Sequence, residues 1–235
     1  MVHIGIIPDG NRRWCKKNNY EIDTLVQHWS NIIIESIHKN STRRISKYLQ
    51  DITEVSFYVC SIDNINRNDK TKYLIFDLIR FIYNIYKDPK KFMAEQNLEY
   101  TEESYKKNQD FLKDLTINFV GDINLLPKDI QKILKEVQKN NKVENKYTLN
   151  LAIAYDYNKD ILNFGRTDLE KYTREQSDID LVFRSGGEYR TSGFFPTKTL
   201  YSELFFLKKL WPEVTTDDFI NLMKKFQKRN RRFGK

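Results

Sequence analysis

Residues 6–14 read IIPDGNRRW, two isoleucines running straight into Pro-Asp-Gly-Asn-Arg-Arg-Trp. A short apolar strand, a glycine turn and the start of a helix follow one another here, the first step of a strand–helix alternation. Chemistry-bearing groups crowd the turn. Asp9 can hold a hard cation, Gly10 lets backbone come close to an oxyanion, and the guanidinium groups of Arg12 and Arg13 suit phosphate oxygens. A strand feeding a helix N-terminus through glycine is a common way to build an anion site. The same residues also read as a plain strand-to-helix turn with solvated arginines.

Working outward, further apolar, β-branched runs stand at Val55 to Cys60, Leu115 to Val120, Tyr147 to Ala154, Ile179 to Phe183 and Leu204 to Leu207, besides Val2 to Ile7. Between them lie longer segments with helical periodicity. The clearest is Thr71 to Tyr86, where Leu74, Ile75, Leu78, Ile79, Phe81, Ile82 and Ile85 recur at spacings of three and four. Such a stripe packs on a core, and a wide one can also line a hydrophobic cavity. Asp129 to Lys139 reads as a surface helix and Thr216 to Gln227 as the last helix, with Thr216 as its N-cap. Asp88 to Lys113 is polar and charged, helix plus exposed loop. Strands alternating with helices predict a single α/β domain over residues 1–235, a mainly parallel β-sheet flanked by helices.

The chain has 235 residues, of which 40% are hydrophobic and 14% aromatic, enough for a sizeable core and against disorder. With 8 Gly and 5 Pro, and no Ser- or Pro-rich linker, one compact domain is favoured over two tethered ones. No apolar run approaches the roughly 20 residues of a membrane span. Met1 leads almost directly into the first strand, leaving no room for a signal peptide. Cys15 and Cys60 provide neither a disulfide framework nor zinc spacing, so a reducing, cytoplasmic compartment is expected. The formal charge of +8 suits an anionic partner, and much of it sits in the tail Lys224 to Lys235. That tail is compatible with a solvated helix face or with peripheral membrane association. It lacks aromatic interleaving and any recognised motif for nucleic acid, and no nucleic-acid partner is expected.

In open parallel sheets ligands sit at the carboxyl ends of the strands. The polar residues of chemical interest fall there: Asp9 to Arg13, Ser61 to Arg67, Gly121-Asp122, Asn150 to Asp156 and Arg184 to Arg190. In RSGGEYRTSGFFP (184–196), Arg184 and Arg190 flank a Gly-Gly turn and Ser192 follows, which resembles a diphosphate clamp more than a structural turn. In YSELFF (201–206), Glu203 is a carboxylate among strand formers, to be paired or to bind metal. SIDNINR (61–67) carries Ser61, Asp63, Asn64 and Arg67; the first three also suit a turn, where Arg67 is the odd member. There is no Walker A sequence, GxGxxG, HExxH or nucleophile elbow, and the 3 histidines lack metal spacing. His38 reads as a surface residue.

Taken in order, IIPDGNRRW, SIDNINR, VGD (120–122), TLNLAIAY (148–155), DLVFRSGGEYRTS (180–192), YSELFF with LWP (210–212) and RRFG (231–234) resemble the cis-prenyltransferases, the undecaprenyl diphosphate synthase family. The resemblance covers nearly the whole chain. It implies an α/β fold enclosing a hydrophobic tunnel, a homodimer, and Mg²⁺-dependent condensation of isopentenyl diphosphate with an allylic diphosphate. By position, Asp9 would bind Mg²⁺ and Glu203 would be the second metal ligand. Gly10, Asn11, Arg12 and Arg13, with Trp14 beside them, would cradle the allylic diphosphate. Asn64 matches a residue implicated in proton removal, with Ser61 and Asp63 beside it. Arg67, Arg184, Arg190 and Ser192 would hold the homoallylic diphosphate. Arg232 and Gly234 match an R-x-G element that reaches the partner subunit's site.

The chain also departs from that pattern. The arginine and histidine expected after the first motif reduce to His28, and only with a gap. Asp63-Asn64-Ile65 stands for Glu-Asn-Trp, and Thr197-Lys198 for Trp-Gln. Extra residues lie around Asp88 to Lys113, and a comparable stretch is missing between Tyr157 and Asp178. Several of these features, Phe194-Phe195-Pro196 among them, also resemble the lavandulyl and cyclolavandulyl diphosphate synthases, which join two dimethylallyl diphosphates head-to-middle. Asn11, Asn64, Arg67 and Glu188 remain as in chain-elongating members, so head-to-tail condensation is the expectation. Irregular coupling and a non-catalytic subunit are the alternatives, and retention of Asp9 argues against the latter.

Overall fold

The computed structural model describes residues 1–30, 47–67, 70–95, 102–141, 145–164 and 177–229. Six strands form one sheet in the order β3-β4-β2-β1-β5-β6, with every neighbouring pair parallel. They are β1 (Val2–Ile7), β2 (Ile52–Tyr58), β3 (Leu115–Val120), β4 (Tyr147–Ala152), β5 (Leu181–Arg184) and β6 (Glu203–Phe206). Each expected apolar run holds a strand, with shifted ends. β2 begins three residues early because Ile52 already pairs with Val2. β4 stops at Ala152, and Ala154 turns into the left-handed region at φ 51.

The described helices are α1 (Asn11–Lys17), α2 (Ile62–Asn66), α3 (Thr71–Lys87), α4 (Pro89–Glu95), α5 (Glu102–Lys113), α6 (Lys128–Lys139), α7 (Tyr157–Phe164) and α8 (Thr216–Phe226). The N-cap of α8 is Thr215, one residue before the expected Thr216. The Asp218 carboxylate reaches back to accept from the Thr215 amide at 2.8 Å, so the capping box fixes the start there. The polar stretch from Asp88 resolves into α4 and α5.

Period-two alternation sorts the strand residues onto two faces. Ile4, Ile6, Val55 and Phe57 face the apolar layer that receives Leu222 and Met223 of α8. Towards β3, α6 inserts Ile130 and Leu134, both essentially inaccessible, against Phe76 of α3. Burying one such leucine contributes about 1.5–3 kcal/mol. The stripe of α3 thus packs first on a core: Ile75 and Ile79 lie against this cluster while Ile82 stays 45% exposed.

The opposite face is partly polar. His3 Nε2 meets Ser56 Oγ at 2.8 Å and His3 Nδ1 meets Ser177 Oγ at 2.9 Å. Asn150 donates to Glu54 Oε1 at 2.7 Å and accepts from Asn118 at 2.9 Å. Every one of these buried groups finds a partner, as burial of polar atoms requires. Near the carboxyl ends of the strands, the same face turns apolar with Ile7, Ala152, Val182, Phe194 and Phe195.

Candidate active site

The carboxyl ends of β1 and β5 are neighbours, because Ile7 is level with Arg184. Asp9 and Arg184 therefore leave adjacent strands in the same direction. Arg184 Nη2 donates to Asp9 Oδ2 at 2.8 Å, and Arg13, one helical turn beyond Asp9 on α1, lies with Nη2 3.2 Å from Asp9 Oδ1. Burial disfavours the charged form of Asp9, but the hydrogen bond and charge of Arg184, helped by Arg13, outweigh it. The carboxyl is held below its ordinary range and stays ionised at neutral pH.

The turn is shaped by backbone. Gly10 sits at φ 105, and a Cβ there would meet Leu210 Cδ2 at 2.8 Å. The Asp9 carbonyl accepts from Ser185 Oγ at 2.8 Å and from the Trp211 amide at 3.0 Å, tying β1, β5 and the segment after β6 together. Gly186 (φ 88) and Gly187 (φ 75) are pinned by amide bonds to Lys209 O at 2.7 Å and Leu207 O at 2.9 Å. Arg13 Nη1 in turn donates to Gly186 O at 2.7 Å.

Arg184 is the hub. It is buried, and its Nη1 donates to Ser192 Oγ at 2.8 Å and to the Arg190 carbonyl. Arg190 itself is exposed and pairs with Glu188, which also lies 3.8 Å from Arg13. Ser192 holds a left-handed φ of 52, strain of the kind that collects where function over-determines the backbone.

Ser61 and Asn64 join in a capping box at the start of α2. The Asn64 amide donates to Ser61 Oγ at 3.2 Å, and the Ser61 amide donates to Asn64 Oδ1 at 3.0 Å. This short helix follows β2, next to β1, so Ser61, Asp63, Asn64 and Arg67 stand on the same edge of the sheet as Asp9. Asp63 is exposed and Arg67 half-buried. Arg12 is exposed, and Trp14 packs tilted against His28 at 4.8 Å between centroids. His28 Nε2 is buried, and no described residue bonds it.

Glu203 lies elsewhere. It opens β6 level with Leu181, at the amino end of β5, whereas Arg184 is level with Phe206. Within one chain Glu203 faces Arg229 at 3.6 Å, not Asp9. Arg232 and Gly234 fall outside the described residues. Sequence reading passed over Ser185 and gave Glu188 no role in the site. Ser185 is a lone hydroxyl with no spacing to mark it, and Glu188 has no strand or helix period to reveal its direction.

Among the described residues no three metal-ligating side chains cluster. The donor set fits Mg²⁺ nonetheless. That ion binds through one or two carboxylates, retained waters and substrate phosphates. Asp9 supplies one ionised carboxylate, and the neighbouring Asn11 Oδ1 is a buried acceptor with no partner among the described residues, suited to a bound water. Asn11 Nδ2 is already used on Pro8 O at 3.1 Å.

Comparison with known proteins points to one family. A tritrans,polycis-undecaprenyl-diphosphate synthase (geranylgeranyl-diphosphate specific) of Pyrobaculum aerophilum is 28% identical over 252 residues, covering 100% of this chain and 96% of its own length. The protein of that name from Thermoplasma acidophilum is 30% identical, over 99% of this chain and 88% of its own. Among solved structures, a probable undecaprenyl diphosphate synthase from Campylobacter jejuni shares the fold with a TM-score of 0.66 at 22% identity, over 100% of this chain and 99% of its own. Lavandulyl diphosphate synthase from Lavandula x intermedia, in complex with dimethylallyl diphosphate, shares it with a TM-score of 0.66 at 20% identity, over 99% and 98%. The family described as "Putative undecaprenyl diphosphate synthase" matches residues 7–234, and this chain belongs to that prenyltransferase family.

Proposed function

We propose that this chain condenses an allylic diphosphate with isopentenyl diphosphate, head-to-tail and with a cis double bond, releasing diphosphate. The observation that carries this is the convergence of Asp9, Arg13 and Arg184 at the carboxyl ends of β1 and β5, with Ser192 bound to the same guanidinium. In the reaction the allylic C–O bond breaks, a C–C bond forms to the homoallylic double bond, and one proton leaves. Negative charge grows on the departing diphosphate, so preorganised cations aimed at it lower the barrier.

Arg12, Arg13 and the Gly10 turn bind the allylic diphosphate; Arg67, Arg184, Arg190 and Ser192 bind the homoallylic one. Mg²⁺, held by Asp9 and diphosphate oxygens, would supply charge neutralisation of the leaving group. Glu203 would serve as a metal ligand only from a second copy of the chain. Asn64, fixed by the Ser61 cap, orients the group that accepts the proton. The half-buried Leu74, Leu78 and Phe81 of α3 support an apolar channel for the growing chain. Exposed Tyr189, Leu200, Tyr201 and Leu204 around the edge strand β6 support a homodimer. No described helix is long and apolar enough to cross a membrane, and a cytoplasmic enzyme with peripheral contact to lipid fits the basic chain.

The likeness to lavandulyl diphosphate synthase is one of fold, and head-to-middle coupling is not favoured. Incubation with Mg²⁺ and geranylgeranyl or dimethylallyl diphosphate, with and without isopentenyl diphosphate, tests the reading. Linear cis product that requires both substrates is expected. Product from dimethylallyl diphosphate alone would replace it with irregular coupling, and no product from any primer would overturn the enzymatic reading.

A further inference from the structure

Tyr58, the last residue of β2, stands on the same face of the sheet as Arg184. Ile6 pairs with Phe57, which brings Tyr58 level with Ile7, and Ile7 pairs with Arg184 on its other side. Residues level in adjacent parallel strands point the same way, so Tyr58 and Arg184 flank Ile7 at roughly 10 Å between backbones, two strand spacings. The ring of Tyr58 is fixed by two buried neighbours. Phe194 lies 5.4 Å away at 31°, and Tyr155 meets it edge-on at 5.9 Å and 90°.

The ring is held, but among the described residues the hydroxyl is not used. No described residue hydrogen-bonds it, and the side chain is half-buried rather than sealed in the core. A phenol whose ring is clamped and whose O–H meets no partner among the described residues, on the sheet face that carries Arg184, is a directed donor in search of an acceptor. Burial, followed by the nearby Cys60, Asp63 and Asp156, pushes its pKa up to about 12 against the opposing pull of Arg184. The proton is therefore present throughout the neutral range.

We propose that Tyr58 is a further substrate-binding residue, its hydroxyl donating a hydrogen bond to the diphosphate held by Arg184 and Ser192. This rests on the prenyl diphosphate reading above. Tyr58 lies between that clamp and the Ser61–Arg67 turn, so a diphosphate engaging both elements passes its hydroxyl. A neutral donor adds direction to a site whose charge the arginines already supply.

Tyr58→Phe tests this, since it keeps the ring contacts and removes only the donor. Binding of inorganic pyrophosphate, read by calorimetry, should weaken about five- to tenfold, as expected for one lost hydrogen bond. The KM for isopentenyl diphosphate should rise by the same factor while kcat and the melting temperature stay put. Equal pyrophosphate affinity and equal KM in Tyr58→Phe and wild type would overturn the assignment and leave the reaction standing. Absence of wild-type turnover would overturn the reaction instead, and the pyrophosphate comparison would still decide Tyr58.

Discussion

Asp9 and Arg184 stand 175 positions apart in the chain and 2.8 Å apart in the fold, carboxylate against guanidinium. The pair joins the first strand's turn to the glycine loop after β5. Asp9→Asn keeps the shape and removes the charge. We expect kcat/KM to fall about 10²–10³-fold, the scale of losing a charged transition-state stabiliser. The buried Arg184 then lacks its counterion, which destabilises by about 1–3 kcal/mol. Assays and denaturant titration of this variant check both; wild-type turnover would remove Asp9 from the site.

Acid should act through the same pair. The folded pKa of Asp9 is depressed below its ordinary 3.8, so its contribution is complete above that pH and is lost as pH falls through the folded value. The stability difference between wild type and Asp9→Asn should accordingly shrink as pH drops below about 4. A difference independent of pH from 6 to 3 would contradict the ion pair.

His3 has the same sign of linkage in a higher pH window. Burial lowers its pKa below 6.5, against the raising influence of Glu54, Ser177 and Asp180. Below pH 6.5 the unfolded chain takes up a proton that the folded chain resists, so stability declines from pH 6.5 down to the folded pKa. Urea unfolding at several pH values should show this slope in wild type and a flatter one in His3→Gln. Equal slopes would mean that His3 is not the titrating group.

Gly186 is a loop residue where a side chain would crowd Arg13 and the Asp9 carbonyl. Its φ is 88, and a Cβ would lie 2.7 Å from Arg13 Nη2 and 3.0 Å from the Asp9 carbonyl. Gly186→Ala should displace Arg13 and lower kcat/KM by about tenfold or more, the misplacement penalty of a positioned group. Gly187, whose Cβ would meet only Lys208 at 3.9 Å, should suffer less on replacement by Ala. Reversal of that order in steady-state assays would refute the crowding argument.

The Ser61–Asn64 box gives a separable prediction. Ser61→Ala removes one cap bond of α2 and should cost about 1 kcal/mol of stability. Asn64→Ala removes the reciprocal bond as well as the side chain proposed to assist proton removal, so it should lower kcat well beyond Ser61→Ala at a similar stability loss. Equal kcat in both variants would confine Asn64 to capping.

The elements and their order were legible in the chain because they rest on local periodicity: the β-branched runs, the stripe of α3 and the Gly turns carry their own spacing. That Asp9, Ser61 and Arg184 share one edge was legible as well, since a parallel sheet puts every carboxyl end on one edge. Side-chain pairing was not. That Arg184 is buried and splits its guanidinium between Asp9 and Ser192, that Ser185 props the Asp9 carbonyl, and that Glu203 stands at the far end of its strand all depend on strand register. Register is set by contacts between residues far apart in sequence, and a shift of one position would turn each of these side chains to the other face. Composition and spacing thus determined an α/β chain with its glycine turns and arginines gathered on one edge, while tertiary packing alone decided which charges on that edge meet.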